Sequence, residues 1–319
     1  MSKIVVTGRI PEVAVEKLRA EHEVDAWSSD EAISREELLT RVVGADALVT
    51  LLTERVDGEL LDAAGPQLQV VANVAVGFDN IDVPACRERG VVATNTPAVL
   101  TEATADTAMT LILMATRRTG EGERVIRSGT PWKWGMFYLL GMGLQGKTLG
   151  VVGMGAIGLA TARRARAFGM DVIYQTVGPI PAGVEELGAR QVELDELLAS
   201  SDVITLHCPY MPATHHLFGA PQFAAMRNSA YLVNTARGPI VDEAALVDAL
   251  RDGQIAGAGL DVYEHEPQVH PGLLELDNVA LLPHLGSATV ETRTAMANLA
   301  ADNALAVLAG TQPPTPIEK

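Results

Sequence analysis

Short apolar runs alternate with amphipathic stretches along most of the chain. IVVT (4–7) predicts a strand. Pro11 at a helix start, followed by Val13 and Leu18 at helical spacing, predicts the next helix. Ser34-Arg35-Glu36-Glu37 reads as a capping box ahead of Leu38 and Leu39. ALVTL (47–51) and QVVAN (69–73) predict two more strands. A second series follows: TLGVV (148–152), DVIYQ (171–175), DVITL (202–206), AYLVN (230–234) and GAGLD (257–261). Between the two series lie a predicted helix over 101–118 and a charged one over 120–128. Strands alternating with helices predict a parallel sheet covered on both faces. No internal repeat or low-complexity tract interrupts the pattern.

One window breaks it. Trp132, Trp134, Phe137 and Tyr138 fall within seven residues between Pro131 and Gly141, with no regular period. Two readings stand open. The segment is either a loop tucked over its own core or a protruding arm that buries against a second subunit, since aromatic residues anchor interfaces.

Composition narrows the class. The 319 residues suggest two domains. With 48% apolar residues, such a chain can bury a large core. Forty acidic against 24 basic side chains give a formal charge of −16. That field repels phosphate backbones and anionic lipid, which argues against nucleic-acid and membrane partners. Cys86 and Cys208 are the only cysteines, so neither a disulfide framework nor a Cys-rich metal site is expected. MSKIVV lacks the apolar core of a signal peptide, and a cytoplasmic location is the simplest expectation.

The strongest local motif is Gly153-Met154-Gly155-Ala156-Ile157-Gly158. It follows an apolar strand, opens a predicted helix (156–168), and a second strand begins at Asp171. That context is what a dinucleotide fingerprint requires. The first glycine permits the tight turn, the second lets a pyrophosphate approach the backbone, and the third allows helix and strand to pack closely. An acidic residue to bind the ribose is expected at the end of the second strand. Gln175-Thr176-Val177-Gly178 stands there instead, with neither a carboxylate to repel a 2′-phosphate nor an arginine to attract one. NAD(P)(H) is the expected cofactor, and the missing repulsion leans toward NADP(H).

Three polar signals follow predicted strands, where ligands sit in open α/β sheets. They are Thr235-Ala236-Arg237-Gly238, Val262-Tyr263-Glu264-His265-Glu266-Pro267, and His284-Leu285-Gly286-Ser287 after VALLP. Singly, each has an ordinary structural reading: an arginine paired with a surface acid, a turn cap, a loop histidine. Together they supply a cation, a carboxylate and an imidazole, a usable set for hydride transfer to or from an alcohol.

VVGMGAIG, NTARGPIVDEAALVDAL, GAGLDVYEHEP and PHLGSAT, in that order, resemble the D-2-hydroxyacid dehydrogenases. VANVAVGFDNIDVPACRERGV (71–91) and TEATADTAM (101–109) extend the likeness over almost the whole chain. WKWGM followed by LQGKTLGVVGMGAIG is most similar to the glyoxylate/hydroxypyruvate reductase branch. The resemblance implies an α/β fold of two doubly wound parallel-sheet domains, Rossmann-like and flavodoxin-like, with a cleft between them. The substrate domain would be discontinuous, 1–99 and 286–319, and the NAD(P)-binding domain would span 100–285.

The resemblance also implies roles. Arg237 would bind the substrate carboxylate and polarise the carbonyl, His284 would be the acid/base, and Glu266 its partner. Glu264, two residues earlier, is not the match. Val76 and Gly77 fall in the loop whose amides hold the carboxylate, and Leu52 would line the same pocket. Asp261 would bind the nicotinamide carboxamide. His207, Cys208, Pro209, Thr235, Ala236, His284 and Gly286 would surround the cofactor. Trp134 and Met136 lie in an arm that, in this branch, can reach a partner's substrate pocket, which implies a homodimer through 132–138. The expected reaction reduces a small anionic 2-keto acid such as glyoxylate or hydroxypyruvate. The alternatives are another 2-hydroxy acid (D-lactate, 3-phosphoglycerate) or an NAD-sensing corepressor-like binding protein.

Overall fold

A computed structural model describes residues 1–318. The chain forms two compact units: Met1–Leu100 together with the chain from Ala288 on, and Thr101–Ser287.

The first unit is built on β1 (Lys3–Val6), β2 (Glu23–Ala26), β3 (Ala47–Thr50), β4 (Val70–Asn73) and β5 (Val92–Thr94). All pair in parallel, in the order β2-β1-β3-β4-β5. That is the flavodoxin-like doubly wound order, in which the strand sequence reverses between β1 and β3. β3 and β4 are buried at every position, as strands covered on both faces must be. One cover is the helix Val290–Leu308, which packs on β3 and β4 through a face that includes Met296, Ala297 and Ala300.

Local signals resolve with two corrections. Pro11 caps the helix Glu12–Arg19 at its start, as expected, but Val13 is 51% exposed and the buried face is Ala14, Val15 and Leu18. At Ser34 only half of the capping box forms. The Ser34 hydroxyl accepts from the Glu37 N–H at 3.2 Å, but the Glu37 carboxylate pairs with Arg41, one turn on, at 2.7 Å. The full charge of Arg41 outcompetes a single backbone N–H.

The second unit carries β6 (Thr148–Val152), β7 (Asp171–Gln175), β8 (Arg190–Gln191), β9 (Val203–Leu206), β10 (Tyr231–Asn234), β11 (Gly257–Leu260) and β12 (Val279–Leu281). They form one parallel sheet in the order β12-β11-β10-β9-β6-β7-β8. This is the dinucleotide-binding order with one further strand at the β12 edge. Successive residues feed opposite faces. Val151, Val172, Val203 and Val233 join one buried cluster with the helices Thr101–Arg117 and Ala156–Ala167. Val152, Ile173, Ile204 and Leu232 join the other, with Leu197, Phe223 and Leu246.

The two helices predicted over 101–128 are Thr101–Arg117 and Thr119–Arg127, broken at Arg118, whose φ is 53°. The first buries eight residues. The second has none that is buried. Among the described residues no helix is long and apolar enough to cross a membrane.

Candidate active site

The order of the second sheet reverses between β6 and β9, and a ligand crevice opens where strand order reverses. The glycine turn leaves β6 at that point. Gly153 has φ +94°, and a Cβ there would lie 2.5 Å from the Cys208 nitrogen, in the loop that leaves β9. Only glycine satisfies both demands. A Cβ on Gly158 would meet the Gly153 carbonyl oxygen at 2.4 Å, so this glycine lets the helix Ala156–Ala167 close on the turn. A Cβ on Gly155 would meet nothing within 4 Å. The open side of that turn, at a helix N-terminus with unpaired amides, suits an anionic group. Met154 is fully buried, and Ala156 and Ile157 form the first helical residues.

Gln175 closes β7, and its carbonyl accepts the Gly153 N–H at 2.8 Å. The Thr176 carbonyl accepts from the Gln191 side chain, and Val177 is 95% exposed. His207, Cys208 and Pro209 follow β9. Burial drives the His207 imidazole down to about 3, which keeps it neutral, and its Nε2 lies 3.0 Å from the Thr205 hydroxyl. Burial pushes the Cys208 thiol up to about 11, so it is no nucleophile. Thr235, after β10, has a buried hydroxyl with no partner among the described residues. A buried hydroxyl without a partner is costly unless a ligand supplies one.

β10, β11 and β12 are neighbours in the sheet, so their carboxyl-end loops are neighbours too. After β10, the Asn234 side chain braces the turn. It accepts the Ala236 N–H at 3.0 Å and donates to the Arg237 carbonyl at 2.9 Å. Arg237 Nη1 donates to the Ala236 carbonyl at 2.8 Å. After β12, His284 adopts φ 56° and donates its backbone N–H to the Asp261 carbonyl at 2.8 Å. Its Nδ1 lies 2.7 Å from Glu266 Oε2. The other Glu266 oxygen accepts the Tyr263 N–H at 3.0 Å. Burial pushes the Glu266 carboxyl up. The hydrogen bond and charge of His284, the Tyr263 N–H and the charge of Arg237 together outweigh it and hold the group below its usual range. Asp261 is buried, and its two oxygens accept the Leu285 and Gly286 N–H groups at 2.6 and 2.8 Å. Burial raises its carboxyl against those bonds. Each of its oxygens keeps a second lone pair for a further donor.

In the first unit, Leu52 is 39% exposed beyond β3, while Val76 and Gly77 follow β4. Sequence reasoning missed what holds them. Asn95 donates to the Val76 carbonyl at 2.8 Å, and Asn73 to the Gly77 carbonyl at 3.0 Å. Asn80 donates to the carbonyls of Leu51 and Glu54. The loop after β4 is therefore gripped through its carbonyls by Asn73 and Asn95, and Asn80 within it grips the loop after β3 in the same way. Asn73 ends β4 and Asn95 directly follows β5, a signal in the sequence that could have pointed to them, while Asn80 lies within a loop.

The aromatic segment resolves as an exposed one. Trp134, Met136 and Phe137 are 78%, 71% and 88% exposed, and Trp132 stacks on Tyr138. It is not tucked over its own core.

A family model described as "D-isomer specific 2-hydroxyacid dehydrogenase, NAD binding domain" matches residues 109–286. The glyoxylate reductase of Thermococcus onnurineus is 48% identical over 99% of this chain and 96% of its own length. Among solved structures, a glyoxylate reductase from Paecilomyes thermophila superposes with a TM-score of 0.89 at 37% identity, covering 99% of this chain and 98% of that one. An NADPH-dependent glyoxylate/hydroxypyruvate reductase from Sinorhizobium meliloti, in complex with NADP and malonate, gives 0.87 at 37% identity, covering 99% and 97%.

Proposed function

The chain belongs to the D-isomer specific 2-hydroxyacid dehydrogenases, and from that premise we propose that it reduces glyoxylate and hydroxypyruvate with NAD(P)H. The observation that carries the reading is the His284–Glu266 pair at 2.7 Å, one strand end away from Arg237.

The residues present fit a dinucleotide. The open side of Gly155, the helix N-terminus behind it and the unpartnered Thr235 hydroxyl supply room, unpaired donors and a polar partner. Gly153–Gly158 would hold the pyrophosphate; Gln175 and Thr176 the adenosine ribose; His207, Cys208, Pro209 and Ala236 the riboside; Asp261, with Gly286 beside it, the carboxamide. When bound, the cofactor supplies the hydride.

The remaining work falls to side chains. Arg237 grips the substrate carboxylate, for which a planar guanidinium suits better than a point charge. His284 gives the proton from Nε2 to the alkoxide oxygen, since Nδ1 is engaged by Glu266. Glu266 holds the ring in one orientation and stabilises its protonated form. Leu52, Val76 and Gly77 are the substrate residues we assign to the first unit. We assign the first unit to substrate and the second to cofactor.

The absence of a carboxylate at Gln175-Thr176-Val177 supports a preference for NADP(H), and the Sinorhizobium relative is NADPH-dependent. The exposed arm and the helix Thr119–Arg127, with no buried residue, support a homodimer in which Trp134 and Met136 approach the partner's substrate. A cytoplasmic location fits the substrate and cofactor.

The test is initial-rate oxidation of NADPH and NADH with glyoxylate, hydroxypyruvate and pyruvate. Turnover with the first two, lowered ~10²–10⁴-fold by His284→Ala with only a modest change in cofactor affinity, is the expected result. Cofactor binding without turnover would overturn it.

A further inference from the structure

The reduction described above uses Glu266 but leaves its neighbour Glu264 without a task. Glu264 is mostly buried, and its surroundings are unusually well organised. Its Oε1 lies 2.6 Å from His216 Nε2, which donates to it. Its Oε2 accepts the Glu243 backbone N–H at 3.4 Å, and its own N–H donates to Glu243 Oε1 at 2.7 Å. The two glutamates thus exchange amide and carboxylate reciprocally. Glu243 is 5% exposed and begins the helix Glu243–Arg251. Burial raises its carboxyl, but its bond to the Glu264 N–H works against that.

This knot joins three segments. His216 is tied by its backbone N–H to the Pro239 carbonyl at 2.8 Å, just past Arg237. The Arg237 turn itself lies against the Glu264 loop. A Cβ on Gly238 would fall 1.9 Å from the Tyr263 carbonyl carbon and 2.4 Å from the Glu264 nitrogen. Tyr263 in turn donates its N–H to Glu266 and its hydroxyl to the Leu282 carbonyl just past β12. The Tyr263 N–H belongs to the preceding peptide, joined to the Tyr263–Glu264 peptide at the Tyr263 Cα, so a displacement of Glu264 is passed through Tyr263 to the donor that aims the Glu266 carboxylate.

We propose that Glu264, held by His216 and Glu243, is a positioning residue that fixes the Glu266 carboxylate relative to His284 and Arg237. The inference rests on the catalytic roles proposed for those three residues. Its action is indirect: Glu264 holds the loop at Tyr263, the Tyr263 N–H holds Glu266, and Glu266 holds the imidazole.

The experiment is a double-substitution cycle read in kcat for glyoxylate. Glu264→Ala alone is expected to lower kcat by about ten- to a hundredfold, the scale on which an ångström of misplacement acts. The KM for NADPH is expected to stay within about twofold, because the glycine turn is untouched. In a Glu266→Gln background the same change is expected to cost almost nothing more, since there is no carboxylate left to aim. Glu264→Gln, which keeps an acceptor for His216, is expected to recover most of the loss. Equal losses in both backgrounds would overturn the proposal and leave Glu264 a merely structural residue. If Glu264→Ala does not fold, His216→Asn removes the same contact from the other side and is put through the same cycle. Should Glu266→Gln and His284→Ala themselves leave turnover intact, the catalytic assignment fails first, and the cycle shows which of the two has failed.

Discussion

His284 Nδ1 lies 2.7 Å from Glu266 Oε2, and the second Glu266 oxygen is taken by the Tyr263 N–H. Both oxygens are thus engaged, and the carboxyl is held below its usual range. The sign follows. An acid that gives up its proton more readily in the folded protein stabilises the fold above its unfolded value of ~4.3, and that stability is lost as the pH falls through the lower folded value. At neutral pH the Glu266 charge is present beside the imidazole. Glu266→Gln is expected to move the alkaline limb of kcat for keto-acid reduction to lower pH. It is also expected to flatten the acid end of the stability curve. A pH profile unchanged from wild type would leave the carboxylate with a structural role only.

Arg237→Lys keeps the charge but loses the fork. One charge-assisted hydrogen bond of ~1.5–3 kcal/mol is forfeited, which lowers kcat/KM for glyoxylate by roughly ten- to a hundredfold. The loss is expected mainly in KM. Steady-state kinetics at saturating NADPH check it, and an unchanged KM would remove Arg237 from the carboxylate.

Gly155 and Gly158 separate binding from folding. Gly155→Ala adds a Cβ that meets no atom within 4 Å, so the Tm is expected to hold while the cofactor Kd rises. A loss of about 1.4 kcal/mol or more corresponds to tenfold in Kd. Gly158→Ala meets the Gly153 carbonyl oxygen at 2.4 Å, so it is expected to lower Tm and affinity together. Calorimetry and fluorescence titration of NADPH read the two quantities. Equal Tm losses for both variants would contradict this division.

The arm is the expected dimer contact. Trp134 and Phe137 expose 78% and 88% of their surface. The double variant Trp134→Asp, Phe137→Asp is expected to shift the mass measured by light scattering from dimer to monomer, because large apolar side chains carry most interface energy. A dimer that survives the double variant would place the contact elsewhere.

How much of this was legible in the sequence depended on distance along the chain. β6, β7 and β10 are runs of apolar residues, and each strand lies inside its run. The glycine turn is contiguous and announces itself. β2 and β8 are not apolar runs: Glu23–Ala26 is at best half-buried and Arg190–Gln191 is exposed, so hydrophobic patterning had nothing to register. The strand-end residues Arg237, Glu266 and His284 could be named from motifs. What braces them could not. Asn80 reaches the Leu51 carbonyl across 29 residues, and Gly238 is required by the Tyr263 backbone of another loop. Glu264 and Glu266 are the same residue type two positions apart. The motif assigned Glu266 to His284, but only the fold gives Glu264 to His216.

The helix Val290–Leu308 covers β3 and β4 of the first unit, yet it is made after the whole of the second. As the chain leaves the ribosome, the second unit emerges unbroken and has every strand it needs. The first unit has all five of its strands early but not the helix that seals one face of its sheet. Val70, Val71 and Ala72 must wait, under-covered, through nearly two hundred residues of synthesis. At ~5–20 residues per second that is a pause of roughly ten to forty seconds. The half that the chain begins first is the half it finishes last, and it is there that a chaperone has the most to protect.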